Sequence, residues 1–297
     1  MSVADFRSET GLSETGPSET VLARATLTKA LAPVRVDGAI SVAFKAEQDT
    51  TRIATLAEHG GYRLKFPDPV GGALEGVIVN TGGGVAGGDR VTFSVSAGAG
   101  ARAAITTATA ERIYRSTGAA AEFDVRLAAA CDATLAWLPQ ATILFSQARL
   151  KRRFAVDLAS GARLLMAETT IFGREASGEI MGDGLLQDVW RVRRGGDLMV
   201  AEATRLDGDM TELLARPAIA GSVRGVALLL CVAPEIEETT DAVRAAIAGC
   251  DVLAGVSAWN GMLVMRAQAS RLDALQLSLR RAIEALQIVK PPQAWSA

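Results

Sequence analysis

The sequence predicts a mainly β protein: β-helix-like stacked strands and layers, with a small C-terminal α+β element of two helices. Three observations predict it. Between about residues 39 and 207, apolar residues take alternate positions in one short segment after another, the mark of strands with one buried face. Gly, Pro and Asp punctuate those segments, and no long helical stripe separates them, which argues against a doubly wound sheet. A two-strand unit also recurs, led by Phe93, Phe123 and Phe154 at offsets of 30 and 31 residues. A repeat of that size suits layers that each bury a neighbour's apolar face.

The elements follow in order. Residues 1–20 carry Ser-Glu-Thr at Ser8, Ser13 and Ser18 and few large apolar side chains; such a tail cannot offset its ordering entropy and is expected to be disordered. The body is expected over 21–210. Its strands are read at 40–47, 52–58, 62–66, 74–80, 90–97, 123–127, 134–138, 154–158, 163–172 and 198–204. In the repeat, each Phe-x-Val is followed by small residues and then by a strand ending at Thr106 and Thr107, at 142–145 or at 169–172. An α+β part packed on the body is expected over 211–297. It comprises a strand at 223–232, a helix at 240–249 capped by Thr239 or Thr240 and stopped at Gly249, and a hairpin around Asn260-Gly261. A last helix, capped by Ser270, carries Leu272, Leu275, Leu279, Ile283 and Leu286 on one face and stops before Pro291 and Pro292.

Composition narrows the function. The chain has 297 residues and a net charge of −2, so no global field recruits nucleic acid or an anionic membrane. The basic stretch Lys151, Arg152 and Arg153 reads as a solvated strand face. Cys131, Cys231 and Cys250 are odd in number and widely spaced, which speaks against a disulfide framework and for a reducing, cytoplasmic setting. Neither a secretory h-region nor a membrane-length apolar run is visible.

Residues 80–90 hold five glycines at 82–88, and Gly82, Gly84 and Gly87 match the dinucleotide pattern. That pattern works only when a helix follows and its N-terminus meets the pyrophosphate. Here the alternating run 91–95 follows, so the expectation is a tight crossing loop, with Asp89 accepting bonds from turn amides. A nucleotide-binding enzyme using this loop is the alternative reading. A carbohydrate-binding solenoid is a third, weakened by 5% aromatic residues. His59 is the single histidine, and no Gly-x-Ser-x-Gly elbow exists to support hydrolysis. Glu168, Glu175, Glu179, Asp183 and Asp188 cluster in sequence. A buried Glu168 would need a cation, with Arg174 or Arg191 as the candidates. Oxygen ligands along an internal path could pass a divalent ion weakly, although later first-row transition metals prefer nitrogen or sulfur in tight sites.

Four blocks, in order, resemble one family. Asn80-Thr-Gly-Gly-Gly-Val-Ala-Gly-Gly-Asp-Arg90 resembles the glycine loop of the urease accessory protein UreD (UreH) family. The run Thr106 to Arg115 resembles its threonine-rich strand and Tyr-Arg. The block from Leu135 through Gln140 to Phe145 resembles its Leu-Pro-Gln segment, and 172–179 its Gly-Arg…Gly-Glu turn. The resemblance implies a non-enzymatic metallochaperone scaffold. It would bridge urease apoprotein and a UreF–UreG complex, and support GTP-dependent nickel insertion with the GTP chemistry on UreG. It implies no tightly bound cofactor and a transient nickel path, for which Asp89, Glu168, Glu175 and Glu179 are the candidates by position. Gly83, Gly84, Asp89, Arg90, Tyr114, Arg115, Gln140 and Arg174 are the corresponding candidates for partner contact. The chain departs from the family pattern at Ala141, where an acid is expected, and at Gln293, where relatives tend to carry arginine.

Overall fold

The computed structural model describes residues 35–68, 72–174, 178–179 and 181–295. The expected tail at 1–20 and the first part of the expected body, 21–34, lie outside them. The first strands are β1 (Asp37–Glu47), β2 (Thr50–His59), β3 (Tyr62–Lys65), β4 (Leu74–Asn80) and β5 (Arg90–Ala97). Next come β6 (Arg102–Thr107), β7 (Glu111–Ile113), β8 (Ala121–Ala129), β9 (Thr134–Trp137), β10 (Thr142–Leu144), β11 (Arg149–Leu158) and β12 (Arg163–Phe172). The long hairpin β13 (Asp183–Arg194) and β14 (Asp197–Asp209) leads into α1 (Met210–Ala215). The chain ends with β15 (Gly225–Val232), α2 (Thr240–Ile247), β16 (Leu253–Trp259), β17 (Met262–Ala269) and α3 (Leu272–Leu286).

Two sheets face each other. One has seven strands in the order β14-β13-β11-β8-β5-β1-β2; the other has ten, with the path β16-β17-β15-β12-β9-β6-β4-β3 and β7 and β10 attached beside it. The middle of each sheet is parallel because the chain coils. β5, β8 and β11 stack in the first sheet while β6, β9 and β12 stack in the second, and β7 pairs with β10 as a third rung. The outer pairs β1–β2 and β13–β14 are antiparallel, as are β12–β15, β15–β17 and β16–β17.

The repeat seen in the sequence therefore builds stacked layers, but its phase differs. Phe93 aligns with Val125, Val125 with Phe154 and Phe154 with Trp190. Phe123 instead lies beside Val91 and Arg152. Coil lengths vary, so the structural unit slides by two residues and keeps the same face inward.

The ten-stranded sheet is covered on both faces. Its inner face packs on the seven-stranded sheet through residues such as Leu135, Leu164 and Met166. Its outer face carries Leu165, Leu229, Leu263 and Met265 against Leu275, Leu279 and Ile283 of α3. Double coverage is why β9 and β12 read as nearly continuous apolar runs. The seven-stranded sheet is polar outside, and its inner strands β5, β8 and β11 keep the alternation.

Local expectations fail at helix ends and at the basic run. The N-cap of α3 is Arg271 and not Ser270, and the Arg271 side chain pairs with Asp273 in the first turn. α2 is entered from a 3-10 turn with Thr239 as its N-cap, as expected, although without a side-chain cap bond, and its C-cap is Ala248, one residue before the expected stop at Gly249. The six-residue α1 is additional; Asp209 caps it by accepting from the Thr211 and Glu212 N–H groups. In the basic run only Lys151 and Arg153 are exposed, whereas Arg152 is 6% accessible and faces the interior. All three cysteines are free, and burial pushes the Cys231 thiol up to about 12. No described helix is long and apolar enough to cross a membrane.

Candidate functional site

Between the sheets lies a buried polar network. On β12 the row Leu164, Met166, Glu168 points inward, because strand side chains alternate. On β11 the inward row is Leu150, Arg152, Phe154. The two strands belong to different sheets, so Glu168 and Arg152 meet across the interior as an ion pair. Trp137 Nε1 donates to the other Glu168 oxygen at 2.7 Å. Arg152 also donates to Thr142 Oγ1 at 3.2 Å. Its Nε and Nη2 reach Asp188 Oδ2 on the adjacent β13 at 3.2 and 2.5 Å, and Trp190 Nε1 donates to Asp188 Oδ1 at 3.1 Å. One guanidinium thus serves two carboxylates, and an indole fixes each carboxylate from the far side. Burial pushes the Glu168 carboxyl up to about 7, against the opposing pull of Arg152.

The network sits between cavities. A cavity of about 520 Å³ lies between the edge strands β14 and β16; Arg152, Glu168 and Asp188 form its polar part, and Leu206, Leu228 and Leu253 are among its apolar walls. On the other side a space of about 30 Å³ is lined by the same Arg152 and Glu168, with Thr107, Glu111, Trp137 and Thr142. That is room for about one water molecule. Thr107 and Glu111 in turn line a third space of about 40 Å³, which ends at Asn80 and Gly83 of the glycine loop. Glu111 is a second polar post along this line. It accepts from Asn80 Nδ2 at 2.9 Å and Tyr62 Oη at 3.1 Å, and burial raises its carboxyl. The line therefore carries carboxylates at two narrow points. Among the described residues no cluster of three or more His, Cys, Asp or Glu side chains is placed to hold a metal ion.

The candidates named from sequence occupy different places. Glu168 lies at the centre of the network, paired with Arg152 rather than with Arg174 or Arg191. Asp89 is buried beneath the glycine loop, where Ala86 N–H donates to one oxygen at 2.7 Å and Val36 N–H to the other at 2.9 Å. Glu179 forms a surface ion pair with Arg174, and Glu175 lies outside the described residues. Gly83, Gly84, Tyr114 and Arg174 come together: Tyr114 Oη donates to the Gly83 carbonyl at 2.9 Å, the Tyr114 and Phe145 rings meet edge to face, and the Arg174 guanidinium lies 4.5 Å from the Phe145 ring centre. Arg115 is exposed and bridges to Ala148, and Arg90 is exposed beside Glu122. Gln140 is engaged within the chain, donating to the Ala294 carbonyl at 2.7 Å. Ala141 is buried, and its carbonyl accepts the Glu111 N–H at 2.9 Å.

The glycine loop leads directly into β5. A Cβ at Gly84 would run into the Tyr114 ring, and one at Gly87 would overlap the Ser116 side chain. The chain's own side chains fill the space that these glycines leave. Val85 pairs with Ile113, so the loop itself acts as one more rung.

The model of the UreD urease accessory protein family matches residues 36–296. The chain belongs to that family. Among its relatives, the urease accessory protein UreD of Rhodopseudomonas palustris strain BisA53 is 46% identical, over 88% of this chain and 89% of the relative. Those of Xanthobacter autotrophicus strain Py2 and Methylobacterium sp. strain 4-46 are 44% and 45% identical, over 88% and 83% of this chain and 90% and 89% of theirs. UreD-family membership assigns the chain to urease maturation and fits the mainly β, stacked architecture described above.

Proposed function

We propose that this UreD-family chain conducts nickel through its interior during GTP-dependent urease maturation, as a scaffold without catalysis of its own. The observation that carries the reading is the line of three spaces joined at Arg152–Glu168 and at Glu111. Nickel is cargo on this path and would be held only weakly by oxygen ligands. Glu168 is its central acid. Of the other acids put forward by position, Asp89 has both oxygens engaged by backbone amides and serves to pin the loop.

On this reading the chain works in the cytoplasm, binds no cofactor tightly, and bridges urease apoprotein to UreF and the GTPase UreG. The GTP chemistry falls to UreG, and a glycine loop that runs into a strand supports that division. The patch formed by Gly83, Gly84, Tyr114 and Arg174 borders the narrow end of the route and is the best surface for a partner that gives or takes the ion there.

Glu168→Gln tests the route. It keeps the shape and the Trp137 acceptor and leaves Arg152 neutralised by Asp188, so the fold and the complexes should persist. Urease matured with this variant is expected to contain less than about one-tenth of its normal nickel, a loss of more than about 1.4 kcal/mol in transfer. Full nickel content would overturn the route through Glu168.

A further inference from the structure

We propose that Arg152 is the gate of this route: a resident cation that leaves Glu168 and Asp188 when a divalent ion passes and then reclaims them. The inference rests on the interior-route reading above. Arg152 and Glu168 are shared by the cavity of about 520 Å³ and the space of about 30 Å³, so the ion pair is the wall between them. The guanidinium holds both carboxylates at once, bonding to Glu168 and Thr142 on one sheet and to Asp188 on the other. An ion arriving at Glu168 meets a position already taken by positive charge.

The exchange balances in charge. With both ionised, two carboxylates facing one guanidinium carry a net negative charge and facing one divalent ion they are neutral; a proton held on Glu168 leaves to solvent as the ion enters. A monovalent ion offers no such gain over the arginine it displaces. Space sets the direction of opening. The small space holds about one water, too little for a guanidinium, whereas the large cavity has room for the side chain to swing aside. Return of the arginine then expels the ion, which keeps a pair of buried acids from becoming a trap. Arginine suits this duty, because its planar fork binds two acceptors together and its charge is permanent.

The test is the nickel affinity of the full chain, measured by equilibrium dialysis with nickel chloride. The variants Arg152→Lys and Arg152→Gln are compared with the wild type, each purified with the same partners. Lysine can return but grips one carboxylate at a time, so affinity should rise a few-fold. Glutamine cannot neutralise either acid, so affinity should rise about tenfold or more, and nickel should stay on the chain while delivery to urease slows. A purely structural arginine predicts lost stability with unchanged or weaker nickel binding, and that result in the variants that fold overturns the gate. If Arg152→Gln does not fold, Arg152→Lys decides alone. Normal nickel delivery by Glu168→Gln would instead overturn the route, whatever the Arg152 variants show.

Discussion

Burial holds the Glu168 carboxyl near 7, well above its ordinary 4.5, even with Arg152 beside it. This links stability to pH. The folded state binds the Glu168 proton more tightly than the unfolded chain does, so its contribution is fully present below about 4.5 and is lost as pH rises through about 7. Glu168→Gln removes that dependence. By calorimetry, the melting temperature of the wild type minus that of the variant should fall between pH 5 and pH 8, by on the order of 5 °C; a flat or rising difference would contradict the buried assignment. Glu168 itself was legible in the sequence as a candidate acid, but its partner was not. Lys151, Arg152 and Arg153 look like one charged run, yet Arg152 follows the inward row of Leu150 and Phe154. Period two alone would have placed it inside, and the expectation that charges face water hid it. The inward Asp188 breaks the alternation of β13 between Leu186 and Trp190 in the same way, so that strand escaped notice.

At the scale of elements, strands were the legible part. β4, β5 and β12 have the bounds that alternation predicts, and the β16–β17 hairpin turns at Asn260 and Gly261, both with positive φ. The shortest piece was lost: β7 spans three residues and exists through pairing with β10, which no local pattern encodes, whereas β10 falls in the run 142–145 read from the repeat. The glycine loop was legible as a crossing, but its tight packing was not, because the side chains that fill it come from Tyr114 and Ser116 some thirty residues on. That packing makes a prediction. Gly87→Ala should lower stability by about 1–3 kcal/mol in urea denaturation, since the added methyl overlaps Ser116 with little room to yield. An unchanged midpoint would mean that the loop moves freely away from the layer behind it.

Across the whole molecule, coiling explains why the parallel middle of each sheet is bordered by antiparallel strands, and why an interior line of spaces can run between the sheets. Stacking was readable from the recurring Phe-x-Val units; the layer formed by α2 and α3 was readable as an α+β part packed on the body, but not which face of the ten-stranded sheet it covers. The central claim, that nickel travels inside this chain, is tested most directly by closing the wide mouth without touching any acid. Gly255 lies on the edge strand β16 and lines the large cavity, and a Cβ there meets nothing within 4 Å. Gly255→Trp should therefore fold and assemble as the wild type does while its indole blocks the entrance. The measurement is nickel per urease active site, by mass spectrometry, in complexes that form normally. The account predicts urease nearly empty of nickel; urease filled to the normal level would show that the ion takes another way.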